Sequence, residues 1–174
     1  MNGTWEAWGG VITATIAALP LAGCVAWWLA RRRGVWRNAL CEVGMVVGTV
    51  PWVWMILTPA GTGRSVQVVP LRDLIDQLPG DRVVEQLGGN LLVFAALGFL
   101  LPMRWGWFAD PWRLLLAGAV LSGAVEVAQF ALAIGRHSSI DDVLVNAVGT
   151  GLAGLASKRW WSSGGAAADV TRSA

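Results

Sequence analysis

The hydrophobic and polar positions of this chain fall into long blocks. The first apolar block runs from about Gly9 to Ala30 and stops at Arg31-Arg32-Arg33. The second runs from about Ala39 to Leu57 and stops at Thr58-Pro59; the third covers about Leu87 to Met103, with VVEQL before it able to extend a helix. The fourth spans about Arg113 to Ile134, and the fifth about Ile140 to Ala156 before Lys158-Arg159. A helix needs about 20 apolar residues to cross the hydrocarbon core of a bilayer. The blocks therefore predict an all-α, polytopic transmembrane bundle of about five helices, with no internal repeat. The one long connection, Thr58 to Gln86, carries Leu71, Leu74, Ile75 and Leu78 at helical spacing behind Pro70. That spacing predicts a short amphipathic helix, lying on the membrane surface or, as the simpler expectation, packed on the bundle.

Charge placement adds an orientation. Cytoplasmic flanks of membrane helices are rich in Lys and Arg. The flanks after blocks one, three and five carry Arg31, Arg32, Arg33, Arg37, Arg104, Arg113, Lys158, Arg159 and Arg172, nine against the four (Arg64, Arg72, Arg82, Arg136) of the opposite side. This places the N-terminus outside and the C-terminus inside. All 12 tryptophans fall near block ends, where an indole can bury its ring and keep its N–H wet.

Composition narrows the class. Charged residues make up 14% of the chain, against about 25% in soluble domains. The expected organisation is one integral membrane domain over residues 1–161 and a Gly/Ala/Ser-rich, disordered cytoplasmic tail over 162–174. A net charge of +2 suggests no nucleic-acid partner. One histidine and two separated cysteines, Cys24 and Cys41, form no zinc pattern, and no metal or other cofactor is expected. Leu21-Ala22-Gly23-Cys24 matches a lipoprotein processing box, but no basic stretch precedes it and the apolar run continues beyond it. Cys24 is expected to be an ordinary buried helix residue.

The candidate chemistry lies in polar residues inside the apolar blocks. Glu126 and Gln129 share a helical face, about 12 Å and about 8 Å from the outer end of the fourth block at 1.5 Å per residue. A carboxylate there costs several kcal/mol unless a partner or a wet cavity receives it. Asn90 lies near the outer start of the third block. Arg136, Asp141 and Asp142 occupy the turn into the fifth, with Asn146 one turn deeper than Asp142. Three helices thus bring carboxylates, carboxamides and a guanidinium to one leaflet, which predicts a polar pocket open to the extracytoplasmic side. The binding candidates are Asn90, Glu126, Gln129, Arg136, Asp142 and Asn146. The acid–base candidates are Glu126, Asp141 and Asp142. Buried polar groups can equally serve as links between helices. Arg136 is a candidate partner for Glu126 or Asp142, and His137, four residues before Asp141, is a candidate partner for that carboxylate. Gly44, Gly48, Gly118, Gly149 and Gly151 are candidate close-packing positions.

Asn90-Leu91-Leu92-Val93-Phe94 followed by Gly98, then Glu126-x-x-Gln129, then Arg136 with Asp141-Asp142, Asn146 and Gly149, resemble the VanZ-like family over roughly residues 87–154. That family's pattern reads N-x-x-x-F-x-P-x-G, then E-x-x-Q, then R-x-x-D-x-D-D-x-x-x-N-x-x-G. This chain has Ala96 in place of the proline and Ser139 in place of the first aspartate. The resemblance implies a small multi-pass protein of the bacterial cytoplasmic membrane, in a family named for a member associated with teicoplanin resistance.

Three readings follow. The first is a non-enzymatic factor whose outer pocket binds membrane lipids, a cell-wall precursor or a glycopeptide. The second is a membrane enzyme using Glu126, Asp141 and Asp142 as acid–base groups or oxygen ligands, with Ser138, Ser139 and His137 as a weak nucleophile signal. The third is a proton-coupled transporter with Glu126 as relay. It needs a polar inner half, where only Glu42 qualifies, and a homo-oligomer.

Overall fold

The computed structural model describes residues 2–61, 63–77 and 83–161. Seven α-helices occur among them: α1 Asn2–Arg33, α2 Trp36–Leu57, α3 Arg72–Gln77, α4 Val83–Val93, α5 Ala95–Arg104, α6 Pro111–Leu132 and α7 Ile140–Ala156. Four stretches are long and apolar enough to cross a membrane: Trp8–Arg33, Trp36–Leu57, Leu87–Arg104 and Pro111–Leu132. The fifth apolar block forms α7, which has 17 residues, about 25 Å at 1.5 Å per residue. The helix ends agree with their local chemistry. The three arginines close α1, Asp110 caps α6 by accepting from the Trp112 N–H ahead of Pro111, and Ser139 caps α7 by accepting from the Asp141 N–H.

α7 runs through the middle of the bundle, against α4, α5 and α6, while α2 packs on α5 and α1 packs chiefly on α2. The closeness of these crossings explains the small residues. A Cβ on Gly98 would overlap the Thr150 backbone, and one on Gly149 would overlap the Leu91 backbone. Gly44, Gly48, Gly118 and Gly151 are likewise closed by Leu100, Ala96, Thr150 and Leu115, so all five expected glycines are close-packing positions. Membrane helices have no hydrophobic drive toward one another, and van der Waals packing at such small-residue contacts takes its place.

The basic end is laced together. Glu42 accepts from Arg33 at 2.6 Å and from Arg104 at 2.7 Å. Arg31, Arg32, Arg104, Arg113 and Arg159 lie over the rings of Trp27, Trp28, Trp105, Trp107 and Trp160, between 3.9 and 4.9 Å from the ring centroids. Each pair keeps a cation at an indole face while both can meet a membrane boundary.

Several expectations are revised. The third block is two helices, interrupted at Phe94 (φ −112°, ψ 15°), although this chain lacks the proline that would favour a break. The fold also contains a two-stranded parallel pair, β1 Gly63–Gln67 with β2 Ile134–Ser139. Gly135 (φ +70°) makes this pairing possible, since a Cβ there would collide with the Gly61 backbone. The loop helix begins after Pro70 and Leu71. Leu71 and Ile75 are exposed, so this part of the stripe is not packed on the bundle; the side chain of Leu74 and all of Leu78 lie outside what is described. Cys24 is exposed on α1 rather than buried. The expected tail, 162–174, lies outside the described residues.

If the α7 crossings set the stability, Gly98→Val destabilises the detergent-solubilised protein by about 1–3 kcal/mol or more and so lowers its thermal unfolding midpoint. Gly123→Ala, with nothing within 4 Å of its added Cβ, leaves the midpoint unchanged or raised. Tryptophan fluorescence on heating checks both.

Candidate functional site

At the end of the bundle opposite the Arg–Trp pairs is a cavity of about 400 Å³. Its wall includes Asn90 from α4, Glu126 and Gln129 from α6, Arg136 and His137 from β2, and Asp142 and Asn146 from α7. Ile56, Ala60, Val125 and Gly135 complete it. All six residues expected to bind thus line one space. Spacing explains the α6 contribution: Gly118, Ser122 and Gln129 form its buried stripe toward the core, and Glu126 lies one turn beyond Ser122.

Each polar side chain also ties two elements. Asn90 Nδ2 donates to Asp142 Oδ1, joining α4 to α7. Glu126 Oε2 accepts from the Ser139 N–H at 3.0 Å, joining α6 to the start of α7. Gln129 Nε2 donates to the Ile56 carbonyl at 2.8 Å. Arg136 donates from Nε to Thr58 O at 3.0 Å and from Nη2 to Met55 O at 2.9 Å. The last carbonyls of a helix have no partner within it and carry the negative end of its dipole. Gln129 and Arg136 therefore finish α2. Burial pulls the Arg136 pKa below its ordinary value, and the two carbonyls keep the cation in place. Asn146 Nδ2 donates to Ser122 Oγ at 2.8 Å. Gln129 and Asn146 are only 7% and 4% exposed, and the oxygen of each carboxamide has no hydrogen-bond partner among the described residues.

Three expectations change here. Arg136 is directed at the end of α2, not at Glu126 or Asp142. His137 bonds Ser65 Oγ through Nδ1 at 2.8 Å and Asp73 Oδ2 through Nε2 at 3.1 Å, not Asp141. It sits in a strand, so the four-residue spacing is not a helical turn. Asp141 stands off the cavity wall and accepts the Leu71 N–H through Oδ1 at 2.5 Å. Leu71 has φ +66°, a conformation that costs a non-glycine residue about 1–2 kcal/mol, and Asp141 holds it there. Both serines of the weak nucleophile signal are buried and engaged: Ser138 Oγ donates to Glu126 O at 3.2 Å, and Ser139 Oγ caps α7. Ser122 was not foreseen. Its position four residues before Glu126 and seven before Gln129 was the available signal.

A helical bundle with membrane-spanning apolar segments and a polar cavity at one end is a polytopic membrane protein. A family model described as VanZ/LLP1 matches residues 44–161, well over half of the chain, and the chain belongs to the VanZ/LLP1 family. No curated protein and no solved structure matches it.

The Asp141–Leu71 bond sets how firmly the loop is held. Asp141→Ala should raise trypsin cleavage after Arg64 and Arg72 about tenfold, from loss of a charge-assisted bond of about 1.5–3 kcal/mol. A time course on the purified protein measures this. Unchanged cutting would assign the loop's order to β1–β2 instead.

Proposed function

We propose that this VanZ/LLP1 protein is a multi-pass protein of the bacterial cytoplasmic membrane whose polar cavity faces outward and binds the polar part of a cell-envelope amphiphile. The ligand class includes membrane lipids, lipid-linked cell-wall precursors and lipoglycopeptides, and its engagement lowers susceptibility to teicoplanin. The observation that carries the reading is the convergence of Asn90, Glu126, Gln129, Arg136, Asp142 and Asn146 on one cavity of about 400 Å³. Ligand sites typically occupy about 300–1,000 Å³. The outward orientation follows from the basic residues at the opposite end. The resemblance to a family named for teicoplanin resistance supplies the phenotype.

The alternatives have less support. An enzyme would keep Glu126 and Asp142 at the cavity but lose Asp141, and its serines and histidine are committed elsewhere. A proton-coupled transporter would need polar groups toward the other end, where Glu42 is held by two arginines.

Teicoplanin and vancomycin susceptibility in a sensitive bacterial host tests the proposal, with empty vector, wild type and Glu126→Gln compared at equal membrane expression. Wild type is expected to raise teicoplanin tolerance, and Glu126→Gln to return it to the vector level. Well-expressed wild type without effect overturns the teicoplanin reading.

A further inference from the structure

The cavity has an imbalance between acceptors and donors. Its wall residues include the carboxylates Glu126 and Asp142 and the carboxamides Gln129 and Asn146, whose buried oxygens have no partner among the described residues. Several donors nearby are engaged: Asn90 Nδ2 at Asp142, Arg136 Nε and Nη2 at the end of α2, and the His137 nitrogens at Ser65 and Asp73. Two carboxylates thus share the wall with a single guanidinium, which is turned to the α2 carbonyls. Buried acceptors left unmatched are costly. Two carboxylates on one cavity wall repel each other, and a cation between them relieves that repulsion.

We infer that the cavity takes an amphiphile whose polar end carries a primary ammonium, which lies between the Glu126 and Asp142 carboxylates beside the Gln129 and Asn146 carboxamides. This deepens the proposed ligand site and rests on it. An ammonium brings three N–H donors and a second positive charge beside that of Arg136, and its bonds to carboxylates are among the short, strong ones. A trimethylammonium brings the charge without a donor. A neutral sugar brings donors without the charge. A phosphate or carboxylate placed against the same walls meets like charge. The ammonium has two envelope sources, an ethanolamine phospholipid or an amino-sugar glycolipid.

The test is lipid retention by the purified full chain, followed by native mass spectrometry from mixed micelles. The lipids are phosphatidylethanolamine, its N-acetylated form, phosphatidylcholine, phosphatidylglycerol, a glucosyl diacylglycerol and a glucosaminyl diacylglycerol. At least one primary-amine lipid should bind about tenfold or more tightly than the N-acetyl, trimethyl and neutral forms, as loss of a charged hydrogen-bond partner implies. The amine lipid that does so names the source. Glu126→Gln, which keeps the acceptor for the Ser139 N–H, should abolish the preference with an unchanged thermal midpoint. The wild-type ladder of headgroups decides the ammonium question without relying on the variant. Glucosyl or glycerol lipids bound as well as the amines, and weakened by Glu126→Gln, overturn the ammonium and leave the ligand site standing. Retention of every lipid independent of Glu126 overturns both.

Discussion

The close backbone crossing of α7 with its neighbours is the constraint on which the rest depends. Thr150 lies where Gly98 of α5 and Gly118 of α6 both meet α7, and Gly149 meets Leu91 of α4. With side chains removed from those contacts, three helices approach one helix from three directions. Asp142 and Asn146, two turns and one turn above the crossing, then have no choice but to face Asn90, Glu126 and Ser122. The polar site is a geometric product of apolar packing beneath it. This is why its residues are spread over three blocks of sequence yet share one cavity.

The same residues answer a second demand. Where water is scarce, helix ends need partners for their last carbonyls and first N–H groups. Gln129 and Arg136 finish α2, and Glu126 meets the backbone at the start of α7. The polar glue reading and the ligand-site reading are therefore compatible. Each side chain spends one group on the scaffold, and the carboxylates Glu126 and Asp142 each have a second oxygen beside the one so used.

Much of this was legible in the sequence because it is local. Apolar length and basic stops located α2 and α6 within a few residues, and α7 at its observed ends; α1 ends near its expected stop but starts at Asn2, two turns before the expected Gly9. The helical period put Glu126 and Gln129 on one wall, as it did Asp142 and Asn146. The illegible parts are non-local. The pairing of Gly63–Gln67 with Ile134–Ser139 joins segments about 70 residues apart, neither with a strong strand pattern. Arg136 was matched to carboxylates by charge, whereas the end of α2 supplied stronger geometric claims. Asp141 looked like chemistry because it adjoins Asp142, but one residue along the first turn of a helix rotates a side chain by about 100°. That rotation sends it to Leu71.

α1 stands apart from this arrangement. It packs chiefly on α2, and the family match begins at residue 44, inside α2. Its arginines sit at its last turn, where they join a cluster that already holds Arg37, Arg104, Arg113 and Arg159. A chain started at Arg31 would thus carry the same cationic collar with one crossing fewer. Insertion machinery that reads this charge would be given the same instruction for the remaining helices. The first helix is then an outer stave laid on α2, and the basic collar is complete without its apolar length.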